Sequence, residues 1–258
     1  MGISARANEN ALGYYMNLVT DIGVNLLAGA LGFLIAQVLR ITWKWQKHRD
    51  ARRFWRRFIG NSLTIVLPHY STLRPHETIG AIGTGEVQGL LHFNRFLSPL
   101  VRQQQPTLLA DDIRGEALTI NLLVLGGPVT NRLYREIVEI IHPQLTFRKI
   151  SPNDYALVNA FDHTEYRLSF HSDTDEVSKD YCLINFFPNP HNPDTWVMLV
   201  AGLGTYGTWG GLEFTMTKPF LQHKAVRAGR PFEAVVEIEV GQFKPIPRLV
   251  AIYSTPKK

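Results

Sequence analysis

An uncharged apolar run near the amino terminus constrains what this chain can become. It extends from Ile22 to Leu39 and contains no charged side chain over 18 residues. A helix rises about 1.5 Å per residue, so a run of this length just covers a hydrocarbon core about 30 Å thick. We therefore predict one transmembrane helix over residues 17–43, preceded by a short extracytoplasmic amino terminus over residues 1–16.

Two other interpretations of this run are open. A cleaved signal peptide is disfavoured because no basic cluster precedes the run and no small-x-small cleavage site follows it. A buried core helix is the remaining alternative, because Asn25 and Gln37 make the run more polar than a simple anchor requires.

The apolar run is followed by a basic segment. Residues 40–57 hold eight lysines and arginines against one acid, Asp50. Basic residues accumulate on the cytoplasmic side of membrane helices. This predicts a single-pass protein of the inner (cell) membrane, with its amino terminus outside and its carboxyl-terminal domain in the cytoplasm. Residues 44–60 then form a basic juxtamembrane helix suited to the headgroups of anionic lipids.

The charge of the remaining chain argues against one class of partner. The whole chain carries +5 and residues 40–57 alone carry +7, which leaves −2 for the rest. A nucleic-acid-binding domain needs a basic surface to meet phosphates, so we expect no nucleic acid partner. The single cysteine, Cys182, cannot form an internal disulfide, which agrees with a reducing cytosol.

Small and polar residues recur along one face of the predicted membrane helix. Asn25, Ala28, Gly32 and Ala36 are spaced three or four residues apart, so they share a helix face. Small residues allow close helix packing in lipid, and an amide prefers an interhelical partner to hydrocarbon. We therefore predict that the anchor self-associates and that the protein is a homo-oligomer. The alternative is that small residues are simply common in membrane helices.

Residues 61–258 show the pattern of an α/β domain. SLTIVLP (62–68) and LTINLLVLGG (118–127) are apolar runs typical of strands buried on both faces, and each is followed by a helical pattern. This βαβα order predicts a Rossmann-like domain with a parallel core sheet. We also predict an antiparallel β extension. It comprises short alternating strands over residues 145–187 and the strands PFEAVVEIEV and RLVAIY near the end.

The first of two glycine turns directly follows the second of these strands. It reads GGPVTN, and its candidate ligand-binding residues are Gly126, Gly127, Pro128, Thr130 and Asn131. Glycine lets a ligand approach the main chain, proline suits the first turn of a helix, and free amides at a helix start bind anions. We therefore predict a ligand-binding turn. A tight strand-to-helix turn without a ligand is the alternative.

The second glycine turn, GLGTYG, lies between the predicted strand TWVMLVA and a helix. It matches the dinucleotide-binding pattern G-x-G-x-x-G. However, it lies late in the chain and no acidic residue follows at the expected spacing, so we do not expect an ordinary NAD-dependent dehydrogenase. Its aromatic rings could stack on a base and its hydroxyls could bind phosphate or ribose. The candidate ligand-binding residues here are Gly202, Gly204, Thr205, Tyr206, Gly207, Thr208 and Trp209.

Both turns follow strands of the predicted parallel sheet. Ligands of such sheets bind outside the carboxyl ends of the strands, so we expect both turns to face one crevice that holds a nucleotide-like small molecule. We expect no cofactor. No metal site is predicted, because residues 171–175 have the composition of a solvated loop. The sequence identifies no catalytic residue. If the protein is an enzyme, the candidate catalytic carboxylates are Glu86, Asp112 and Asp180.

The order of these parts resembles a class of bacterial signalling proteins. A short transmembrane segment joined to a Rossmann-like domain with GGPVTN and GLGTYG turns is similar to the membrane-tethered nucleotide sensors of bacterial antiviral signalling. The ligand domains of those sensors are of the CARF, SAVED or SLOG kind. The resemblance implies a nucleotide messenger as ligand and a role in antiphage defence.

Together these observations predict a sensor and effector in one chain. A nucleotide-like messenger binds the cytoplasmic crevice and acts on the membrane through the oligomerising helix. This hypothesis does not require an enzyme. The alternatives are a membrane-anchored enzyme that processes a nucleotide or nucleoside, such as a glycosidase, and an anchored scaffold without a small ligand.

Overall fold

The chain divides into two units by its contacts. A computed structural model describes residues 29–40, 49–60, 62–69, 82–100, 105–151, 154–242 and 244–254. The units are Met1–Arg49, here called the amino-terminal unit, and Asp50–Lys258, here called the body.

Apart from Arg49, the described part of the amino-terminal unit is a helix, α1, over residues 29–40. Its large apolar side chains are more than half exposed around most of the helix; they are Leu31, Phe33, Leu34, Ile35, Val38 and Leu39. Gly32 and Ala36 of the predicted self-association face lie on α1, whereas Asn25 and Ala28 lie outside the described residues, as do all of residues 1–28 and 41–48. No helix within the described residues is both long and apolar enough to cross a membrane.

The body alternates helices and strands. Its helices are α2 (Arg49–Ile59), α3 (Thr84–Leu97), α4 (Arg132–Ile141), α5 (Thr205–Thr215), α6 (Lys218–Leu221) and α7 (Lys224–Ala228), with a 3₁₀ turn over Gly115–Leu118. Its strands are β1 (Leu63–Leu67), β2 (Thr107–Leu109), β3 (Asn121–Leu125), β4 (Leu145–Ser151), β5 (Asp154–Asn159), β6 (Glu165–Tyr166), β7 (Ser169–Phe170), β8 (Val177–Asn189), β9 (Asn192–Gly202), β10 (Phe232–Val240) and β11 (Pro245–Ser254).

Most of these strands form one mixed sheet. Its order is β11-β10-β8-β9-β3-β1-β2, and β7 pairs with β8. Strands β2, β1, β3 and β9 run parallel, whereas β8, β10 and β11 pair antiparallel with their neighbours. A smaller antiparallel sheet contains β4, β5 and β6. The predicted mixed α/β fold with parallel strands is therefore confirmed.

The central parallel strands are buried on both faces. Every residue of β1 and β3 is buried. Helices α2, α3 and α5 contribute to the hydrophobic core on one face of the sheet, and α4 contributes to the core on the other. This double cover explains why both strands appear in the sequence as nearly continuous apolar runs.

Helix α5 packs very close to the sheet. A Cβ atom at Gly211 would lie 2.1 Å from Cys182 Sγ, and one at Gly210 would lie 2.7 Å from the side chain of Ile238. Only glycine permits this approach, so the two glycines set the position of α5 against β8 and β10. Cys182 itself is completely buried, and burial raises the pKa of its thiol.

Helix α2 belongs to the core of the body. Its Phe54, Trp55 and Phe58 are buried, and their rings contact Phe93 and Phe186. The division of the chain at Asp50 places α2 with the domain, whereas the sequence suggested a separate juxtamembrane segment over residues 44–60 and a domain from residue 61. Burial of three aromatic side chains accounts for the difference, because it ties this arginine-rich helix to the core.

Candidate functional site

The two glycine turns meet at one edge of the main sheet. Strands β3 and β9 are parallel neighbours in which Leu125 pairs with Val200, and each turn directly follows its strand. The carboxyl ends of parallel strands lie at the same edge, so the turns come together although they are far apart in sequence. They line a cleft whose empty space, open solvent included, is about 430 Å³. The predicted ligand-binding residues that line it are Gly127, Pro128, Thr130, Gly202, Gly204, Thr205 and Thr208.

Two of the predicted ligand-binding residues, Gly126 and Asn131, have structural roles in the first glycine turn. Gly126 has a φ angle of +86°, in the left-handed region that favours glycine. The side chain of Asn131 is completely buried and caps α4. It accepts a hydrogen bond from the amide of Tyr134 at 3.0 Å and donates one to the carbonyl of Leu125 at 2.8 Å. Both residues shape the first turn, and neither lines the cleft.

The amides at the start of α5 are bound by a side chain of the protein itself. The carboxylate of Asp180, in β8, accepts hydrogen bonds from the amides of Gly204 at 3.1 Å and Gly207 at 2.5 Å. The start of a helix favours a negative charge, and Asp180 supplies one. The GLGTYG turn therefore wraps an internal carboxylate at the place where a dinucleotide-binding turn would receive phosphate.

The environment of Asp180 shifts its ionisation. The side chain is completely buried, and the loss of water around the carboxylate raises its pKa from 3.8 to about 6. Hydrogen bonds from the amides of Gly207, Gly204 and Tyr181 act in the opposite direction, and the nearby charge of Glu86 raises the pKa further. Asp180 is therefore mainly ionised at neutral pH and takes up a proton under mildly acidic conditions.

A second carboxylate, Glu86 in the first turn of α3, lines the cleft. Glu86 is only 2% exposed, and its Oε2 accepts a hydrogen bond from Thr205 Oγ1 at 2.9 Å. The same hydroxyl accepts a hydrogen bond from the amide of Gly85 at 3.0 Å, so Thr205 joins the start of α3 to the start of α5. The third candidate carboxylate, Asp112, is exposed in the turn after β2 and does not line the cleft.

Tyr206 and Trp209, the predicted stacking residues, line a different pocket. Its empty space, open solvent included, is about 720 Å³, and it is also bounded by His92 of α3. The indole nitrogen of Trp209 donates a hydrogen bond to Glu213, and Nδ1 of His92 hydrogen-bonds the same carboxylate. Thr205 lines both this pocket and the cleft. The predicted stacking surface is therefore beside the cleft, not within it.

The aromatic side chains that do line the cleft come from the smaller sheet. They are Phe147 of β4 and Tyr155 of β5. The ring of Phe147 also contacts the ring of Tyr134 on α4. Neither residue belongs to the predicted ligand-binding set, because this sheet reaches the cleft only through tertiary packing and no local motif marks it.

The lining of the cleft, within the described residues, carries little charge. Glu86 is the one charged side chain there, and the lining contains no lysine or arginine. The uncharged part of the lining includes the hydroxyl groups of Thr130 and Tyr155, backbone groups and the ring of Phe147. Such a surface suits a neutral ligand with hydroxyls and a ring. No group of three His, Cys, Asp or Glu side chains among the described residues is placed to hold a metal ion.

The body is an α/β domain with a cleft at the carboxyl ends of its parallel strands. No protein-family model, curated protein or solved structure matches the chain. The resemblance to membrane-tethered nucleotide sensors therefore stays a prediction from the sequence.

The raised pKa of Asp180 predicts a specific dependence of stability on pH. Between the unfolded pKa near 3.8 and the folded pKa of about 6, the folded protein binds more protons than the unfolded chain. The free energy of unfolding should therefore fall as pH rises through this window, by up to about 3 kcal/mol from this group. We expect Asp180→Asn to lack this contribution, as measured by urea unfolding at several pH values between 4 and 7.

The wild-type protein is the control for this measurement, because other carboxylates titrate in both proteins and cancel in the difference. NMR titration of the Asp180 carboxyl carbon in the wild type should show a midpoint near 6. A midpoint near 4, or the same pH dependence in wild type and variant, would contradict the proposed environment of Asp180.

Proposed function

We propose that the protein is a membrane-anchored sensor whose α/β body binds a nucleotide-like molecule through its nucleoside end. One observation carries this proposal: the two glycine turns line a single cleft at the carboxyl ends of β3 and β9. Ligands of open α/β sheets bind at this edge.

The charges of the cleft favour the nucleoside end over the phosphate end. The carboxylate of Glu86 can accept hydrogen bonds from sugar hydroxyls, and Phe147 and Tyr155 offer ring surface to a base. A phosphate in the cleft would lie near Glu86 and Asp180 without a described basic side chain in the lining to compensate. In this proposal the phosphates of the ligand therefore point toward solvent.

Helix α1 supports the anchoring part of the proposal. Its apolar side chains are exposed around most of its circumference, and a helix that is apolar all round is stable where lipid or protein covers it. With the basic residues 40–57, it fits a single-pass anchor of the inner membrane with the body in the cytoplasm.

Self-association of the anchor would connect ligand binding to the membrane. A Cβ atom added at Gly32 would meet no other atom within 4 Å, so a second helix could approach this position, with Ala36 on the same face. A ligand acts as a signal by binding one arrangement of such a homo-oligomer better than another. A role in antiphage defence follows from the sequence resemblance alone.

Filling the cleft should block the ligand without unfolding the body. A Cβ at Gly127 makes only ordinary contacts, the nearest at 3.6 Å, so Gly127→Ala should be tolerated. Larger side chains at this position should occupy the cleft. We expect Gly127→Leu to weaken nucleoside binding by at least about tenfold, a loss of about 1.4 kcal/mol, while Gly127→Ala stays close to wild type.

Isothermal titration calorimetry with adenosine, guanosine, cytidine and uridine, and with their 5′-monophosphates, measures this effect. The cleft should bind a nucleoside at least as tightly as its monophosphate. Binding that depends on the phosphate, or binding that Gly127→Leu leaves unchanged, would refute the proposed site.

The anchor is tested by introducing charge into α1. An arginine at the centre of a membrane helix costs about 2.5–3.5 kcal/mol of insertion free energy. We expect the wild-type protein to stay with carbonate-washed membranes and the variant Leu31→Arg/Leu34→Arg to be released. The matched control is Leu31→Ala/Leu34→Ala, which should stay in the membrane fraction. Wild-type protein in the carbonate supernatant would refute the anchor.

A second candidate function, cleavage of the N-glycosidic bond of a nucleoside, is favoured by the position of Glu86. Glycoside cleavage passes through an oxocarbenium-like transition state whose positive charge a carboxylate stabilises. Glu86 is buried, faces the cleft and is held by Thr205. Asp180 does not line the cleft, so it does not supply the second carboxylate that most glycosidases use.

Replacement of Glu86 separates the two candidates. For a sensor, we expect nucleosides to be recovered intact after incubation with the wild type, and Glu86→Gln to bind them about tenfold more weakly because a charge-assisted hydrogen bond is lost. Glu139→Gln, on the exposed face of α4, is the control. Release of free base by the wild type, measured by chromatography and abolished in Glu86→Gln, would favour the enzyme.

A further inference from the structure

A third concave site lies on the body, away from the glycine turns. It is bounded by α2, by residues of α6 and α7, and by β8 and β9. Its empty space, open solvent included, is about 520 Å³. Trp196 at this site lies six residues before Gly202 of the cleft in β9, and a strand rises about 3.3 Å per residue, so roughly 20 Å separate the two sites. We call this site the arginine pocket.

The floor of the arginine pocket is aromatic. It is formed by Phe54 and Phe58 of α2, Phe186 of β8 and Trp196 of β9. The rings of Phe186 and Trp196 stack with their centroids 4.5 Å apart and their planes 8° from parallel. Phe54 and Phe58 contact Phe186 at centroid distances of 5.7 and 5.6 Å. The floor is therefore apolar; Phe54, Phe58 and Phe186 are buried in it, and Trp196 is partly exposed.

The rim of the arginine pocket is positive. Arg53 and Arg57 of α2 and Arg227 of α7 are exposed there. Within the described part of the chain, no carboxylate forms an ion pair with any of these three arginines. Asp50 is the one acid of the described lining, and it accepts a hydrogen bond from Gln222 at 2.9 Å. The lining thus has a net charge of +2, three arginines against one aspartate.

Gly229 makes room for one of the arginines. It ends α7 with a φ angle of +60°, and a Cβ there would lie 2.0 Å from Nη1 of Arg57. A larger residue would displace this guanidinium from the pocket. The backbone of the α7 turn and the side chain of Arg57 therefore fit each other, and the guanidinium lies beside the apolar floor.

We propose that the arginine pocket binds an anionic phospholipid, with its phosphate at the arginines and the beginning of an acyl chain on the aromatic floor. Guanidinium groups bind phosphate oxygens in a bidentate manner, and the apolar floor suits hydrocarbon. The pocket is built on α2, which follows the predicted membrane segment in the sequence. This proposal concerns a different site from the cleft and does not depend on nucleoside binding.

The test uses the full chain in nanodiscs of phosphatidylcholine, titrated with short-chain phosphatidylglycerol. We expect Arg57→Ala to weaken binding about tenfold, the effect of a lost charge-assisted hydrogen bond, and Arg53→Ala/Arg57→Ala/Arg227→Ala to abolish measurable binding. The matched control is Arg56→Ala, an exposed arginine of the same helix that does not line the pocket. Arg56→Ala should bind as the wild type does.

Three outcomes would overturn the proposal. If Arg56→Ala and Arg57→Ala weakened the binding of phosphatidylglycerol equally, the lipid would be bound by a diffuse basic surface and not by the pocket. Equal binding of short-chain phosphatidylcholine would show that charge does not select the ligand. Inorganic phosphate that binds as tightly as the lipid would show that the aromatic floor contributes nothing. Nucleoside binding, measured in the same variants, should be unchanged. A negative result for lipid binding at the arginine pocket is therefore distinguishable from a negative result for nucleoside binding in the cleft.

Discussion

The contact between Asp180 and the amides of Gly204 and Gly207 organises the edge of the body that carries the cleft. It places a buried negative charge of β8 at the start of α5 and thereby fixes the turn that follows β9. The fixed turn positions Thr205, whose hydroxyl binds Glu86 at the start of α3. Two carboxylates, two helices and one strand are thus connected through a few hydrogen bonds.

This arrangement changes what a glycine turn can do. The amides at a helix start usually attract a phosphate, but here an internal carboxylate uses them. The remaining surface of the cleft contains hydroxyls, rings and the acid Glu86, so its chemistry suits the sugar and base of a nucleotide better than its phosphates. A positive patch of the body lies instead at the arginine pocket, roughly 20 Å away along β9.

Local patterns revealed much of the candidate site. The turns GGPVTN and GLGTYG were recognisable because glycines directly follow apolar strands, and parallel pairing of β3 with β9 brings both to one edge. Glu86 and Asp180 were noted only as isolated carboxylates, because nothing local indicates that they are neighbours. Phe147 and Tyr155 carry no motif, and they reach the cleft only because the smaller sheet packs beside it.

The sequence by itself determined the elements that depend on neighbouring residues: the apolar run of residues 22–39, the doubly buried strands and the glycine turns, since periodicity and backbone freedom are local properties. Tertiary structure alone decided that Asp180 accepts the hydrogen bonds of the amides at the start of α5. It also decided that Tyr206 and Trp209 line the pocket beside the cleft, and that the arginine-rich α2 packs into the core. Those outcomes depend on contacts between residues distant in the chain, such as Asp180 with Gly207, and no local pattern encodes them.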